Sequence, residues 1–75
     1  MSNLTKESVA YIAARLLEKA KQARKDSDAD FENDFLAGRR EAYYEMLDVL
    51  KSELEIADQE LKEFGLDINL EKEIA

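Results

Sequence analysis

The chain has 75 residues, of which 18 are acidic and 11 are basic, so its formal net charge is −7. It contains no cysteine, histidine or proline, which excludes disulfides, thiolate or imidazole metal ligands and histidine-dependent catalysis. The acidic balance disfavours direct nucleic-acid binding, which depends on lysine and arginine contacts to phosphate. Because so short a chain buries only about 60% of its unfolded surface, we expect oligomerisation to contribute to its stability.

The first predicted element is an amphipathic helix over residues 5–25. Thr5 is a suitable N-cap, since its hydroxyl can accept a hydrogen bond from a free N–H group of the first turn. Apolar residues then recur every three or four positions from Val9 to Ala23, which gives the helix one apolar stripe. The following residues, 26–29, are predicted to form an acidic turn.

The acidic run after the first helix resembles the start of a calcium-binding loop. Asp26, Asp28 and Asp30 have the alternating spacing that opens an EF-hand loop. The sixth position of that loop requires glycine and the twelfth requires glutamate, but they are Phe31 and Ala37. We therefore predict no metal site and no cofactor, and we interpret the carboxylates as favourable charges at the start of the next helix.

The second predicted element is a long helix over residues 30–64. Gly65 followed by Leu66 is typical of a Schellman stop, in which glycine adopts the left-handed conformation. Two apolar rows along this helix have a period near 3.5 residues, which is typical of packing between helices. The first row consists of Leu36, Tyr43, Leu47, Leu50, Leu54, Ala57, Leu61 and Phe64. The second row consists of Phe31, Phe35, Gly38, Ala42, Met46, Val49 and Ile56.

Two rows on one helix predict two neighbouring helices. Gly38 and Ala42 are small, so we expect the first helix to approach closely there. A turn at residues 26–29 would place residue i of the first helix opposite about residue 55 − i, which leaves the end of the second helix without a partner. Either the tail, residues 66–75, folds back over it with a turn capped by Asn69 or Asp67, or a second subunit covers it.

The predicted fold is all-α, with a single helical-hairpin domain over residues 1–75. We expect an antiparallel hairpin with a long second helix that dimerises into a four-helix bundle. An antiparallel dimer that crosses near Met46 would place Arg39 opposite the partner's Glu53, a pair that sets register more than it adds stability. The candidate dimer interface consists of Arg39, Tyr43, Met46, Leu47, Leu50, Glu53, Leu54, Ala57 and Leu61.

The function hypotheses depend on the acidic outer face of the second helix. The candidate partner-binding residues are Glu41, Tyr44, Glu45, Asp48 and Glu55. We predict a non-enzymatic protein–protein interaction or regulatory protein, which acts as a small acidic homodimer with an unidentified protein partner. The alternative is an acidic nucleic-acid mimic that inhibits a DNA- or RNA-binding protein, although Lys51 and Lys62 interrupt the acidic row.

Localisation follows from the apolar pattern. No apolar run approaches the ~20 residues that span a bilayer, and residues 1–7 lack the layout of a signal peptide. We therefore expect a cytoplasmic protein that does not bind membranes.

The stretch from Asp34 to Asp48 resembles a pattern in small uncharacterised helical proteins of bacteria and their phages or mobile elements. In those proteins a Phe-x-x-Gly-Arg element, here Phe35 to Arg39, opens a long second helix. The resemblance implies a helical accessory protein and carries no known activity.

Overall fold

The computed structural model describes residues 4–75 and places two long helices side by side. Helix α1 spans Lys6–Ala29 and helix α2 spans Asp34–Ile56. A 3₁₀ helix, Leu61–Phe64, and a short helix α3, Leu70–Glu73, follow. The described residues contain no strand, so the predicted all-α helical hairpin is confirmed.

Helix α1 begins as predicted but ends later. Thr5 caps it, because its side-chain oxygen accepts a hydrogen bond from the N–H group of Ser8 at 3.0 Å. The predicted end at residue 25 and the predicted turn at residues 26–29 are wrong, since α1 continues to Ala29. Ser27 is buried and extends the buried side of the helix, so the packing against α2 keeps these residues helical.

Helix α2 is shorter than the predicted helix over residues 30–64 at both ends. Asn33 caps its start, with its side-chain oxygen accepting from the N–H group of Leu36 at 3.2 Å. At its end Asp58 adopts the left-handed conformation with φ of 58°, and the N–H group of Gln59 donates to the carbonyl of Leu54 at 2.9 Å. This is a Schellman motif with aspartate in the glycine position.

Gly65 also ends a helix, but a different one from the helix predicted. Its φ is 69°, and the N–H group of Leu66 donates to the carbonyl of Leu61 at 3.0 Å. The predicted Schellman geometry is therefore confirmed. It terminates the 3₁₀ helix rather than the long helix, which has already ended at Ile56.

Alanine substitutions at the two glycines are expected to change stability in opposite directions. Gly65→Ala should lower the free energy of unfolding by about 1–2 kcal/mol, because an L side chain is strained at positive φ. Gly38→Ala should raise it by about 0.5–1 kcal/mol, because alanine favours a helix interior. A new Cβ would contact nothing within 4 Å at either site, so urea unfolding of the two variants isolates the backbone effect. Equal effects would contradict the left-handed assignment of Gly65.

The register between the two long helices differs from the predicted one. The connection lies at residues 30–33 instead of 26–29, and Arg39 Nη1 lies 3.1 Å from Asp26 Oδ2. Residue i of α1 therefore lies opposite about residue 65 − i of α2. The helices have 24 and 23 residues, so the expected unpaired end of the second helix does not exist.

The C-terminal residues fold back over the hairpin, which is one of the two alternatives left by the sequence. Leu66 and Ile74 are fully buried, and Phe64 and Leu70 are nearly so. Asn69 caps α3, as expected, by accepting from the N–H group of Lys72 at 3.2 Å. The buried core consists of Ala13, Ala20, Leu47, Phe64, Leu66, Leu70 and Ile74. The tail thus supplies three of the five large buried side chains, namely Leu66, Leu70 and Ile74.

Candidate protein-interaction surface

Five residues of the predicted dimer interface lie in or against the chain's own core. Leu47 is fully buried. The other four are half-buried and pack against the core: Tyr43, Leu50, Leu54 and Leu61. Leu61 lies in the 3₁₀ helix, and the other four lie on the side of α2 that faces α1 and the folded-back tail. These residues of the first apolar row therefore serve intramolecular packing.

The other four residues of that predicted interface are accessible. Met46, Glu53 and Ala57 are exposed and Arg39 is half-buried. Arg39 pairs with Asp26 within the chain, and its guanidinium carbon lies 6.0 Å from the centroid of the Tyr43 ring. Among residues 4–75, no ion pair involves Glu53.

The second apolar row of α2 is exposed, and we call it the open row. The expectation that Gly38 and Ala42 contact the first helix is wrong, because both are exposed and a Cβ on Gly38 would meet nothing within 4 Å. The large members of the row are 47–80% exposed. The open row consists of Phe31, Phe35, Gly38, Ala42, Met46, Val49 and Ile56. The chain covers one side of α2 and leaves an apolar side in water.

Four predicted partner-binding carboxylates lie on the outer side of α2, and we call them the acidic face: Glu41, Glu45, Asp48 and Glu55. All four are exposed. Within the described part of the chain, none of them forms an ion pair with lysine or arginine. The acidic face is therefore a patch of negative charge without direct ion pairs, and it lies beside the open row.

Tyr44, the fifth predicted partner-binding residue, lies half-buried between α2 and the tail. Partial burial raises the pKa of its phenol, because the phenolate loses hydration. The carboxylates of Glu71 and Asp48 raise the pKa further by repelling the phenolate. Tyr44 therefore stays neutral, with only part of its side chain available to a partner.

A cleft of about 520 Å³ separates α2 from the tail beside the acidic face. Its lining includes Tyr44, Asp48, Lys51, Glu55 and Glu71. Lys51 Nζ donates a hydrogen bond to the carbonyl of Ile68 at 2.7 Å. This bond holds the lysine against the tail, and its positive charge lies in the same cleft as Asp48 and Glu55.

The three aspartates with calcium-loop spacing do not converge. Asp26 pairs with Arg39, and Asp28 pairs with Arg40 at 3.0 Å and with Arg24 at 3.7 Å. Asp30 is the C-cap of α1 instead of a residue in the first turn of α2. No group of three or more acidic side chains within residues 4–75 is placed to hold a metal ion. These aspartates stabilise the hairpin connection.

Comparisons with known proteins identified no relative of this chain. No protein-family model, curated protein or solved structure matches the chain. The resemblance of Asp34 to Asp48 to small phage and bacterial proteins stays a prediction. In the described residues, no helix combines the length and the apolar character needed to cross a membrane.

Proposed function

We propose that this protein is a non-enzymatic interaction protein that acts as a small acidic homodimer and binds another protein. The observation that carries the proposal is the acidic face on α2, whose four exposed carboxylates form no ion pair within the described residues. Glu41, Asp48 and Glu55 are spaced seven residues apart, so they form a straight line of about 21 Å along the helix. A partner with a complementary basic surface would neutralise this line and would be steered toward it at low salt.

The chemistry of the accessible side chains also supports binding over catalysis. Histidine and cysteine are absent, so an enzyme would have to use carboxylates, tyrosine, lysine or arginine. Carboxylates gain catalytic pKa values when a pocket shields them from water. The acids that line the cleft beside α2 are exposed, and such groups serve solvation and charge complementarity instead.

A charge-matched capture experiment tests the acidic face. The triple variant Glu41→Gln, Asp48→Asn, Glu55→Gln removes three charges from it without altering the buried core. The control variant Glu18→Gln, Glu32→Gln, Glu60→Gln removes three exposed charges from elsewhere. Each protein is immobilised, incubated with lysate of the source organism and washed at increasing salt, and the retained proteins are identified by mass spectrometry.

We expect a protein that the wild type and the control variant retain and that the acidic-face variant loses. Its release by salt would follow from the screening of exposed charges, since the Debye length falls to about 3 Å at 1 M salt. Retention of the same proteins by all three baits would overturn the role of the acidic face.

A second candidate function, mimicry of nucleic acid, is favoured by the regular seven-residue spacing of Glu41, Asp48 and Glu55 along α2. Lys51 donates to the carbonyl of Ile68 but lines the same cleft as Asp48 and Glu55, so one positive charge lies beside this line. Recovery only of nucleic-acid-binding proteins, with release by added DNA or RNA, would support mimicry. Release by salt but not by nucleic acid would support the first proposal.

A further inference from the structure

The described chain has the shape of a slab with one uncovered side. Its principal-axis extents are 42 × 26 × 14 Å, so the chain is flat: the two long helices lie side by side and the C-terminal residues cover one side of them. Phe64, Leu66, Leu70 and Ile74 are buried against the side of the hairpin that carries Leu47. The open row lies on a side of α2 that no segment of residues 4–75 covers. An apolar side of a helix is stabilised when it is buried against another element.

The open row has the geometry of a helix-packing surface. Phe35, Ala42, Val49 and Ile56 follow one another at intervals of seven residues, with Met46 beside them. A strict seven-residue repeat keeps one apolar seam in contact with a neighbouring helix. The row extends for about 32 Å, or nearly six turns, which matches the length of a long helix such as those in this chain.

We infer that a second copy of this chain occupies the open row, with its α2 antiparallel to the first and the crossing centred between Glu45 and Met46. This inference rests on the proposed homodimer and assigns its interface to a surface. It differs from the interface predicted from the sequence, since Leu47, Leu50, Leu54 and Leu61 pack inside each chain. The interface passes instead through Phe35, Ala42, Val49 and Ile56.

The surface area supports an association of this size. The chain exposes 5550 Å², whereas folded monomers of 8.6 kDa expose about 4,700 Å². The excess of roughly 850 Å² is close to the ~800 Å² that each partner buries in a standard interface. Packing of two open sides would bring the exposed area of each copy down to the usual value.

The order of residues along the row favours an antiparallel second copy over an unrelated helix. When the row is reversed about its midpoint, Phe35 falls opposite the partner's Ile56, and Ala42 falls opposite the partner's Val49. The four residues of the seven-residue repeat, Phe35, Ala42, Val49 and Ile56, thus have counterparts within the same row, as a two-fold interface requires. A parallel arrangement would place Ala42 against its own copy and leave a gap at the centre.

The charged residues beside the row favour the same orientation. In the antiparallel arrangement the partner's Glu53 lies over Gly38, next to Arg39. Gly38 leaves space for the glutamate side chain, and the adjacent Arg39, which pairs with Asp26 in its own chain, offers a positive charge beside it. Two such contacts form by symmetry. In a parallel dimer each Glu53 would lie beside the partner's Glu53, and like charges repel.

Sedimentation of single-site variants tests which surface is used. We expect the wild type to sediment as a dimer, at twice 8.6 kDa, at micromolar to millimolar concentration. Val49→Asp should sediment as a monomer with unchanged circular dichroism, since Val49 is 61% exposed in the single chain. Tyr11→Asp is the matched control, because Tyr11 is 63% exposed on α1 and should leave the dimer intact.

The outcomes separate this inference from the proposed function. If the wild type is monomeric at all concentrations tested, both the homodimer and this interface are overturned. The binding of another protein would still be tested by the acidic-face experiment. A Val49→Asp variant that remains dimeric would overturn the interface alone.

Cysteine cross-linking tests the orientation, and the chain offers a background free of native cysteine. Ala42→Cys and Val49→Cys are prepared separately, mixed and oxidised. We expect the mixed disulfide, identified by mass, because disulfides need Cα atoms about 4.4–6.8 Å apart. Either variant oxidised alone should give little dimer, since its two cysteines would lie about 10 Å apart along the axis. Efficient disulfide formation by Ala42→Cys alone, without the mixed product, would overturn the antiparallel arrangement.

Discussion

Ile74→Ala is expected to lower the free energy of unfolding by about 2–5 kcal/mol, because it removes a fully buried side chain and leaves a cavity. Domains of this length have a total stability of roughly 4–11 kcal/mol. The variant would therefore lose a large part of its stability. Ile74 lies in the tail, so the measurement also tests whether residues 66–75 belong to the core.

Ile56→Ala provides the matched control, since it deletes the same atoms from a side chain that is 76% exposed. Its free energy of unfolding should change by no more than about 0.5 kcal/mol at dilution, where copies do not associate. Urea denaturation followed by circular dichroism gives both values. Equal effects of the two substitutions would show that the tail does not pack on the hairpin as described.

Local signals in the sequence predicted some features of the fold well. Thr5, Gly65 and Asn69 each act as the caps or stops that their residue types favour. These predictions succeed because a cap depends on hydrogen bonds within about four residues. The periodicity of α2 also indicated two apolar rows, and both exist as distinct surfaces.

Of the two boundaries that were missed, one depends on contacts distant in sequence and the other on an unusual residue at a local helix stop. The acidic run after residue 25 stays helical because Arg39 and Arg40 compensate its charges from α2. The end of α2 at Ile56 depends on Asp58, which adopts a conformation that glycine usually signals. With both boundaries displaced, the predicted register was about ten residues off. The expected overhang, which was one of the arguments for a dimer, disappeared with it.

The candidate interaction surface was predictable in part. The sequence identified the acidic residues of α2, and the structure exposes Glu41, Glu45, Asp48 and Glu55 as a group. The sequence did not show which of the two apolar rows would be buried within the chain. That choice depends on where the tail docks, and the arginine contacts that hold the tail have no periodic signature. The case for a second copy now rests on the open row instead of the overhang.

Arg40→Met is expected to lower the free energy of unfolding by about 1.5–3 kcal/mol, the usual contribution of hydrogen bonds to a charged group. Arg40 joins the tail to both long helices. Its Nε donates to the carbonyl of Ile74, its Nη2 donates to the carbonyl of Ala75 at 2.8 Å, and its Nη1 pairs with Asp28 at 3.0 Å. Methionine keeps the apolar stem and removes all the donors, so the tail carbonyls lose their charged partner.

Arg40→Lys should recover only part of the loss, because one ammonium group cannot reproduce the planar fork that bonds three acceptors. Arg15→Met is the control, since Arg15 is exposed and its side chain contacts Tyr11 on the same helix; we expect little change. Hydrogen exchange separates a local from a global effect. In Arg40→Met the amide of Ile74, which donates to the carbonyl of Leu70 at 2.8 Å, should exchange faster than amides in the middle of α1. If Arg40→Met melts at the same temperature as Arg15→Met and protects that amide equally, then apolar burial alone holds the tail in place.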